Sequence, residues 1–321
     1  MTIGVDLRPL AAGRRSGVEE YLLELLKAVV SFDHKNEYKF FLNSYHQSEV
    51  SLDFIKTRKN VTVCQFRIPS KLLNLSLRLF KRPRLNRLVS GVDLFFMPNI
   101  LFEALDRQCA KVVTFHDLSF EHYPEFLSLK RRLWHKVVGP KKIAKSADKV
   151  IAVSEETKRD LVETYKLPLE KVVTIPSGVQ IYEVDRQREK EVRAKYRLPQ
   201  KYILCFGTLE PRKNIKTIIK AYQALRLHNR IEHALVISGL EGWKIEEVVG
   251  KDPAQLKLEG IVLTGYIDPR DKDIVYAAAS IFIYPSFFEG FGFPLLEAAR
   301  AKTPIIAAAN SSILEVISNA A

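Results

Sequence analysis

The stretch Tyr284-Pro-Ser-Phe-Phe-Glu-Gly-Phe-Gly-Phe-Pro-Leu-Leu-Glu297 follows an apolar run and decides how this part of the chain folds. The apolar run predicts a strand, and Gly290 and Gly292 allow a sharp turn and a close approach of the backbone to a ligand. Pro294 suits the first turn of a helix, where a missing N–H group costs nothing. The sequence therefore predicts a strand, a glycine turn and a helix that begins near Phe293.

Two carboxylates flank this turn, since Glu289 lies just before the predicted helix and Glu297 lies inside it. The unpaired N–H groups and the positive dipole end at a helix start bind anions such as phosphate. A ligand with phosphate between two hydroxyl-bearing ends would therefore satisfy both glutamates and the turn. We predict a sugar-nucleotide site here that includes Gly290, Phe291, Gly292 and Phe293. The alternative is a pair of ordinary acids that the helix dipole favours.

A second segment, Tyr202-Ile-Leu-Cys-Phe-Gly-Thr-Leu-Glu-Pro-Arg-Lys-Asn-Ile215, fits the same kind of ligand. It indicates a buried strand with Gly207 at its carboxyl end, then a loop with Arg212 and Lys213, then an amphipathic helix. Ligands bind at this edge of an open parallel sheet. Arginine can hold a phosphate with two hydrogen bonds and lysine adds a point charge. The segment predicts a diphosphate site, and a solvated pair of loop cations is the alternative.

Strand-like and helical patterns alternate along the chain, which predicts an α/β class with parallel sheets covered on both faces. Strands are expected near Gly4, Phe40, Val63, Leu94, Val113, Ile151, Val173, Leu204, Val236, Val262, Phe282 and Ile306. Helices are expected at Glu19–Val30, Leu129–Lys145, Glu155–Tyr165, Ile215–Leu227, Ile245–Val249, Asp271–Ala279 and Pro294–Ala301. The polar stretch 180–200 separates two predicted domains, 1–180 and 181–321.

The runs E-G-F-G-F-P-L-L-E at 289–297 and G-T-L-E-P-R-K-N at 207–214 resemble the donor-site signatures of retaining glycosyltransferases of family 4. Further pieces follow in the family's order at Thr114–Asp117, Val150–Glu155, Ile175–Val179 and Leu263–Tyr266. The resemblance implies the GT-B fold, in which an acceptor domain and a nucleotide-sugar donor domain, both Rossmann-like, face a cleft. Family members continue through another strand and helices, so we expect an incomplete carboxyl-terminal domain.

The resemblance also implies roles for the residues of the second half. Glu289 would contact hydroxyl groups of the transferred sugar and act in catalysis, while Glu297 would hold the ribose of the donor. Arg212 and Lys213 would bind the donor diphosphate.

Two positions in the first half carry further implied roles. His116 follows an apolar run and, by resemblance, lies close to the transferred sugar as a catalytic residue, although a solitary histidine is more often structural. Gly17 lies in a loop that resembles the family's glycine loop, which faces donor phosphate and acceptor. Glu19 and Glu20 stand where family members often carry glycine and arginine, which alters the anion contact.

The implied reaction moves a hexose, with mannose from a GDP donor preferred, to a hydroxyl group of a glycan or lipid-linked acceptor in surface polysaccharide assembly. No cofactor and no metal are implied. The D-x-D pattern at Asp271–Asp273 follows Pro269, and we interpret it as acids favoured at a helix start. The alternatives are a sugar-nucleotide epimerase of the same fold and a catalytically silent glycan-binding subunit.

The composition, 47% hydrophobic and 27% charged over 321 residues, is that of an ordinary globular protein. No apolar run approaches the roughly 20 residues that span a bilayer, and the amino terminus has a strand pattern, so we expect a cytoplasmic protein. Cys64, Cys109 and Cys205 lack C-x-x-C spacing, which argues against a disulfide framework or a zinc site. We predict three buried thiols.

The net charge of +13 is concentrated in residues 1–180, which hold 30 of the 50 Lys and Arg residues but only 20 of the 37 Asp and Glu residues. Between 67 and 90 seven cations alternate with leucines and there is no acid, which favours a helix lying on an anionic membrane surface. A second basic cluster at 130–145 could extend that face. The alternative is solvated faces of core helices. No zinc-finger spacing or RNA-binding aromatic motif occurs, so nucleic acid is not an expected partner.

Overall fold

The structure is a computed structural model that describes residues 1–12, 17–45, 52–55, 58–179, 183–240, 242, 250 and 253–318. The chain divides into two units. The first unit comprises residues 1–118 and 131–178. The second comprises residues 119–130 and 179–321. The short segment 119–130 therefore clusters with the second unit, although the chain on both sides of it belongs to the first.

A parallel sheet of seven strands forms the centre of the first unit, in the order β3-β2-β1-β4-β5-β6-β7. Its strands are β1 Thr2–Asp6, β2 Glu37–Asn43, β3 Val61–Phe66, β4 Leu94–Met97, β5 Ala110–Phe115, β6 Lys149–Ala152 and β7 Val172–Thr174. The inner strands are apolar because helices cover both faces of a parallel sheet. The strand order reverses between β1 and β4.

Helices connect these strands and begin where the sequence supplies a start signal. Ser154, for example, accepts a hydrogen bond from the Thr157 amide and so caps the helix that follows β6. The helices up to β7 are α1 Gly17–Phe32, α2 Ser70–Phe80, α3 Leu85–Leu88, α4 Ser119–His122, α5 Leu129–Val138, α6 Pro140–Ser146 and α7 Glu155–Tyr165.

The second unit has a parallel sheet of five strands in the order β10-β9-β8-β11-β12. Its strands are β8 Tyr202–Phe206, β9 Ala234–Ser238, β10 Ile261–Gly265, β11 Ile281–Tyr284 and β12 Ile305–Ala307. Its helices are α8 Glu189–Tyr196, α9 Ile215–Leu227, α10 Pro253–Leu258, α11 Lys272–Ala277, α12 Phe293–Arg300 and α13 Ile313–Ile317. The order reverses between β8 and β11, so this is the topological switch point of the sheet.

The α/β class, the parallel sheets and all the predicted strand positions are confirmed. The prediction of one helix at Leu129–Lys145 is wrong, because the chain forms two helices with a break at Gly139. Gly139 adopts a left-handed conformation with φ of 70°, and Pro140 has no N–H group to continue the first helix. The predicted helix at Ile245–Val249 lies outside the described residues.

The polar stretch 180–200, which is the predicted domain boundary, contains the helix Glu189–Tyr196, whose Val192 side chain is buried. One further expectation needs correction. Cys109 and Cys205 are buried as predicted, but Cys64 is only half-buried because it lies on β3 at the edge of the sheet. Among the described residues, no helix combines the length and the apolar character needed to cross a bilayer.

Candidate functional site

The loops that follow β8 and β11 lie side by side at the switch point of the second sheet. The two strands pair in parallel, with Ile203 opposite Ile281 and Leu204 opposite Phe282, so their carboxyl ends reach the same edge. Open α/β sheets bind ligands in the crevice at this point. The topology therefore brings together the two segments that the sequence analysis selected.

Four charged side chains, Glu210, Arg212, Lys213 and Glu289, form one cluster here, which we call the four-charge cluster. Arg212 Nη1 donates to Glu289 Oε2 and Lys213 Nζ donates to Glu289 Oε1, both at 2.7 Å. Arg212 Nη2 also donates to Glu210 Oε1 at 2.5 Å. Because Glu210, Lys213 and Glu289 are each less than 10% exposed, the two cations are not a solvated loop pair. With two cations and two carboxylates, the four-charge cluster has no net charge.

Glu289 stays ionised at neutral pH. Burial alone would raise the pKa of its carboxyl group, but the positive charges of Arg212 and Lys213 outweigh that effect and lower the pKa to about 2. Both carboxylate oxygens receive a charge-assisted hydrogen bond, which fixes the orientation of the side chain.

The phenol of Tyr284, the last residue of β11, completes the surroundings of Lys213. Lys213 Nζ donates to the Tyr284 hydroxyl at 2.8 Å and lies 4.8 Å from the centre of its ring. Burial, together with the charge of Glu289, raises the pKa of Tyr284 well above its usual value, so the phenol keeps its proton. Sequence reasoning missed Tyr284 and Glu210. The only signal for Glu210 was its place two residues before Arg212.

The loop that carries Glu289 is held by three consecutive polar residues that precede α13. The Glu289 amide donates to Ser311 Oγ at 3.0 Å, and Ser312 Oγ donates to the Glu289 carbonyl at 2.9 Å. Asn310 Nδ2 donates to the Ser286 carbonyl at 3.0 Å. These bonds fix the backbone on both sides of the glutamate, which is what a preorganised site requires.

Aromatic rings from the segment 119–130 pack against the same loop. The Phe126 ring stacks on Phe287, with centres 5.4 Å apart and an interplanar angle of 27°. Tyr123 lies 5.8 Å from Phe288, measured between ring centres. The two phenylalanines directly precede Glu289 in the chain, so this packing also restrains the loop that carries it.

The glycine turn before α12 is built as the sequence predicts. Gly292 has φ of 100°, and a Cβ atom there would lie 3.1 Å from Leu295 Cδ1, so glycine suits the position. The helix begins at Phe293, and Pro294 lies in its first turn. Within the described part of the chain, the amides of Phe291 and Gly292 have no hydrogen-bond partner, so they can donate to an anion.

Gly207 and Glu297 are also predicted to bind the nucleotide-sugar donor. Gly207 follows β8, the strand next to β11, and Glu297 lies in α12, the helix that follows the turn. Gly207 has φ of 142°, a conformation that favours glycine. Glu297 is 2% exposed, and Lys272 Nζ donates to its Oε1 atom while the Tyr276 hydroxyl donates to Oε2 at 2.9 Å. Lys272 and Tyr276 belong to α11, and no pattern in the sequence indicated that this helix would supply partners for Glu297.

The D-x-D acids lie at the start of α11, as predicted, and both form ion pairs within the second unit. Asp271 is 1% exposed and accepts hydrogen bonds from Arg188 at 2.7 Å, Lys195 at 2.6 Å and Tyr196 at 2.9 Å. Asp273 is paired with Arg300. Across the described ranges, no group of three or more His, Cys, Asp and Glu side chains could hold a metal ion.

Replacement of Asp271 by asparagine is expected to lower the free energy of unfolding by roughly 1 kcal/mol, because it weakens bonds to two cations that are themselves more than a third exposed. Urea titration of the variant measures this loss. Glu232→Gln, in an exposed pair with Lys201, is the matched control and should change stability by less than about 0.5 kcal/mol. An Asp271→Asn variant as stable as the parent would contradict the packing role.

His116 lies in the first unit, directly after β5 as predicted. Its Nε2 atom is 2.8 Å from the Pro98 carbonyl, and its ring meets Tyr21 edge to face with centres 4.9 Å apart. A carbonyl only accepts, so Nε2 carries the hydrogen and Nδ1 of the neutral ring keeps a lone pair. Burial lowers the pKa of His116, and the Pro98 carbonyl and Asp117 offset this only in part, so the ring is neutral at pH 7.

Gly17, the remaining predicted residue, is the first residue of α1 in the first unit. Residues 13–16 of the loop that resembles the family's glycine loop lie outside the described residues. Glu19 and Glu20 occupy the first turn of the helix, where the helix dipole favours acids.

Comparisons with known proteins agree with this architecture. A family model described as Glycosyltransferase Family 4 matches residues 15–182, and one described as Glycosyl transferases group 1 matches residues 186–321. The Escherichia coli protein named O-antigen chain mannosyltransferase B is 33% identical over 230 residues, which are 70% of this chain and 58% of that relative. Serotype-specific mannosyltransferase WbdA of Escherichia coli is 30% identical over 182 residues, or 53% of this chain and 22% of the relative. The chain thus spans less than two thirds of either relative.

A solved structure shows the same fold. Anabaena HepE, crystallised in complex with UDP and glucose, superposes with a TM-score of 0.63 over 98% of this chain and 82% of that chain. The two sequences are 16% identical, so the likeness concerns the fold alone.

Proposed function

The chain belongs to glycosyltransferase family 4, with the GT-B fold, and on that basis we propose that it transfers mannose from a GDP-linked donor to a hydroxyl group of a glycan or lipid-linked acceptor. The reaction retains the anomeric configuration and needs no metal. It contributes to the assembly of a surface polysaccharide. The mannose and the polysaccharide rest on the names of the two Escherichia coli relatives.

The observation that carries this proposal is the four-charge cluster beside the glycine turn at the switch point of the second sheet. Arg212 and Lys213 supply positive charge, and the amides of Phe291 and Gly292 supply open donors. Charge develops on the diphosphate as it leaves, and fixed donors at that place stabilise the transition state. Because the four-charge cluster has no net charge of its own, the amides of the turn supply an essential part of the anion binding.

The geometry of Glu289 supports a mechanism without an enzyme nucleophile. A carboxylate whose two oxygens are both held by cations is a poor attacking group, although it suits the binding of sugar hydroxyl groups and the stabilisation of positive charge on the sugar ring. Retention then follows if the leaving phosphate oxygen takes the acceptor proton on the same face of the sugar. We also assign His116 to catalysis, since its neutral ring keeps Nδ1 as an acceptor for a hydroxyl group.

The test is to incubate the purified protein with GDP-mannose and a mannose-ended glycan, with EDTA present, and to measure both GDP release and conversion of the donor, with and without the acceptor. We expect GDP release that depends on the acceptor, with a new glycosidic bond whose one-bond carbon–proton coupling at C1 shows the donor's anomeric configuration. Conversion of the donor without acceptor would indicate an epimerase instead. Donor binding without any turnover, repeated over a panel of nucleotide sugars and acceptors, would indicate a silent glycan-binding subunit. An inverted product or a requirement for metal would contradict the mechanism.

A further inference from the structure

The helix α2 has two apolar faces. Leu73 and Leu77 are 2% and 0% exposed and anchor the helix to its unit. Leu72, Leu75 and Leu79 are 59%, 50% and 59% exposed. These three positions have the spacing i, i+3, i+7, so they form one stripe on a helix, on the side away from the buried pair. A helix that only covers a core has polar residues on its outer side, and this helix has leucines there.

The charges around this stripe are of one sign. Lys71, Arg78, Lys81 and Arg82 are exposed, and within the described residues none of them forms an ion pair. The cations that follow are different, because the next two arginines along the chain both contact Asp106 and serve the fold. The apolar stripe is therefore bordered by cations for which the described part of the chain provides no ion-pair partner.

The end of the helix extends this surface. Phe80, its last residue, is 70% exposed, and Lys81 then takes a left-handed conformation that stops the helix. An aromatic ring and long cationic side chains at the end of an apolar stripe suit the boundary between lipid headgroups and acyl chains. The exposed residues of α2 together with Lys81 and Arg82 are called the α2 surface below.

We propose that the α2 surface binds an anionic membrane, with its leucines and Phe80 at the boundary of the acyl chains and its cations against headgroup phosphates. The partner is identified by charge: a stripe of leucines alone would fit a protein groove, but four exposed cations around it match a dense array of negative charge. The inference stands apart from the transfer reaction, since no residue of the four-charge cluster takes part in it.

Sedimentation with vesicles of phosphatidylcholine, with and without phosphatidylglycerol, at low and high salt, tests this proposal. We expect binding only to the anionic vesicles, weakened at high salt because the charges are exposed and screened. The variant Leu72→Ser/Leu75→Ser/Leu79→Ser should lower the vesicle partition coefficient by about tenfold for each leucine replaced. The variant Lys71→Gln/Arg78→Gln/Lys81→Gln/Arg82→Gln should lower it by about fivefold for each cation.

Matched controls remove leucines and cations elsewhere. Leu169→Ser/Leu227→Ser changes two leucines that are 63% and 80% exposed, and Lys216→Gln/Lys220→Gln changes two exposed lysines of α9. Both controls should bind anionic vesicles like the parent. Transfer to a water-soluble acceptor and the circular dichroism spectrum should be the same for all variants, which separates loss of membrane binding from loss of fold or of catalysis.

Several results would overturn the proposal. The first is absence of binding to anionic vesicles at low salt. The second is a leucine variant or a cation variant that binds anionic vesicles as strongly as the parent does. The third is a dimer of the parent in light scattering without lipid that the leucine variant abolishes, because the stripe would then bind a second copy of this chain.

Discussion

Replacing Glu289 with glutamine is expected to lower turnover by at least about a hundredfold and to lower the free energy of unfolding by roughly 3 kcal/mol. The catalytic loss follows from the removal of a fixed negative charge next to the proposed sugar site. The stability loss follows from the pairs that Glu289 forms, because Arg212 and Lys213 would remain in a buried place without the carboxylate that pairs with both of them. Initial rates and urea titration measure the two effects separately.

The pH dependence of stability gives an independent measure of the same carboxylate. The pKa of Glu289 falls from 4.5 to about 2 in the folded protein, which corresponds to roughly 3 kcal/mol. Because the folded protein binds the proton more weakly than the unfolded chain, this stability is present above pH 4.5 and is lost as the pH falls towards 2. The glutamine variant should lack this part of the acid transition.

The matched control is Glu232→Gln, which removes a carboxylate that is 86% exposed and should change neither turnover nor the acid transition. Near-normal turnover of Glu289→Gln would remove Glu289 from the catalytic residues. Unchanged stability would show that the two cations find other partners and that the four-charge cluster is not a unit.

Local signals explain why so much of the fold could be predicted from the sequence. Buried parallel strands are continuous apolar runs, so β8 and β11 were visible, and the turn before α12 was visible because glycine and proline mark its ends. The break at Gly139 was missed because the apolar and basic pattern continues through it from α5 to α6. The Gly-Pro pair was the local signal that should have outweighed the pattern.

The composition of the candidate site was predicted better than its contacts. The sequence placed Glu289 and Glu297 on two sides of one turn, which the structure confirms, but it gave no means of pairing either with a cation. Arg212 lies 77 residues before Glu289, and Lys272 lies 25 residues before Glu297. Such pairs depend on which strands are neighbours, and that order is a property of the whole sheet. Arg212 and Lys213 were therefore expected to be open to ligands, whereas each donates to the Glu289 carboxylate.

Replacing Lys213 with methionine, which keeps much of the volume and removes the charge, is expected to weaken binding of the GDP-linked donor by about thirtyfold. Under the proposed function the lost charge faces the donor diphosphate, where a desolvated charge-assisted contact contributes roughly 2 kcal/mol. The variant should also lose roughly 2 kcal/mol of stability, since Glu289 loses one of the two cations that pair with it. Calorimetric titration with the donor measures the first effect and urea titration the second.

The double variant Lys213→Met/Glu289→Gln decides whether the four-charge cluster acts as a unit. Each single change leaves an unbalanced charge in a buried place, whereas the double change removes one charge of each sign. Its stability loss should therefore be smaller than the sum of the single losses by about 1–3 kcal/mol. Lys216→Met, on the exposed side of α9, is the control and should leave donor affinity and stability unchanged. Additive stability losses would show that Lys213 does not balance Glu289. A donor affinity of Lys213→Met equal to that of the parent would show that Lys213 does not contact the diphosphate.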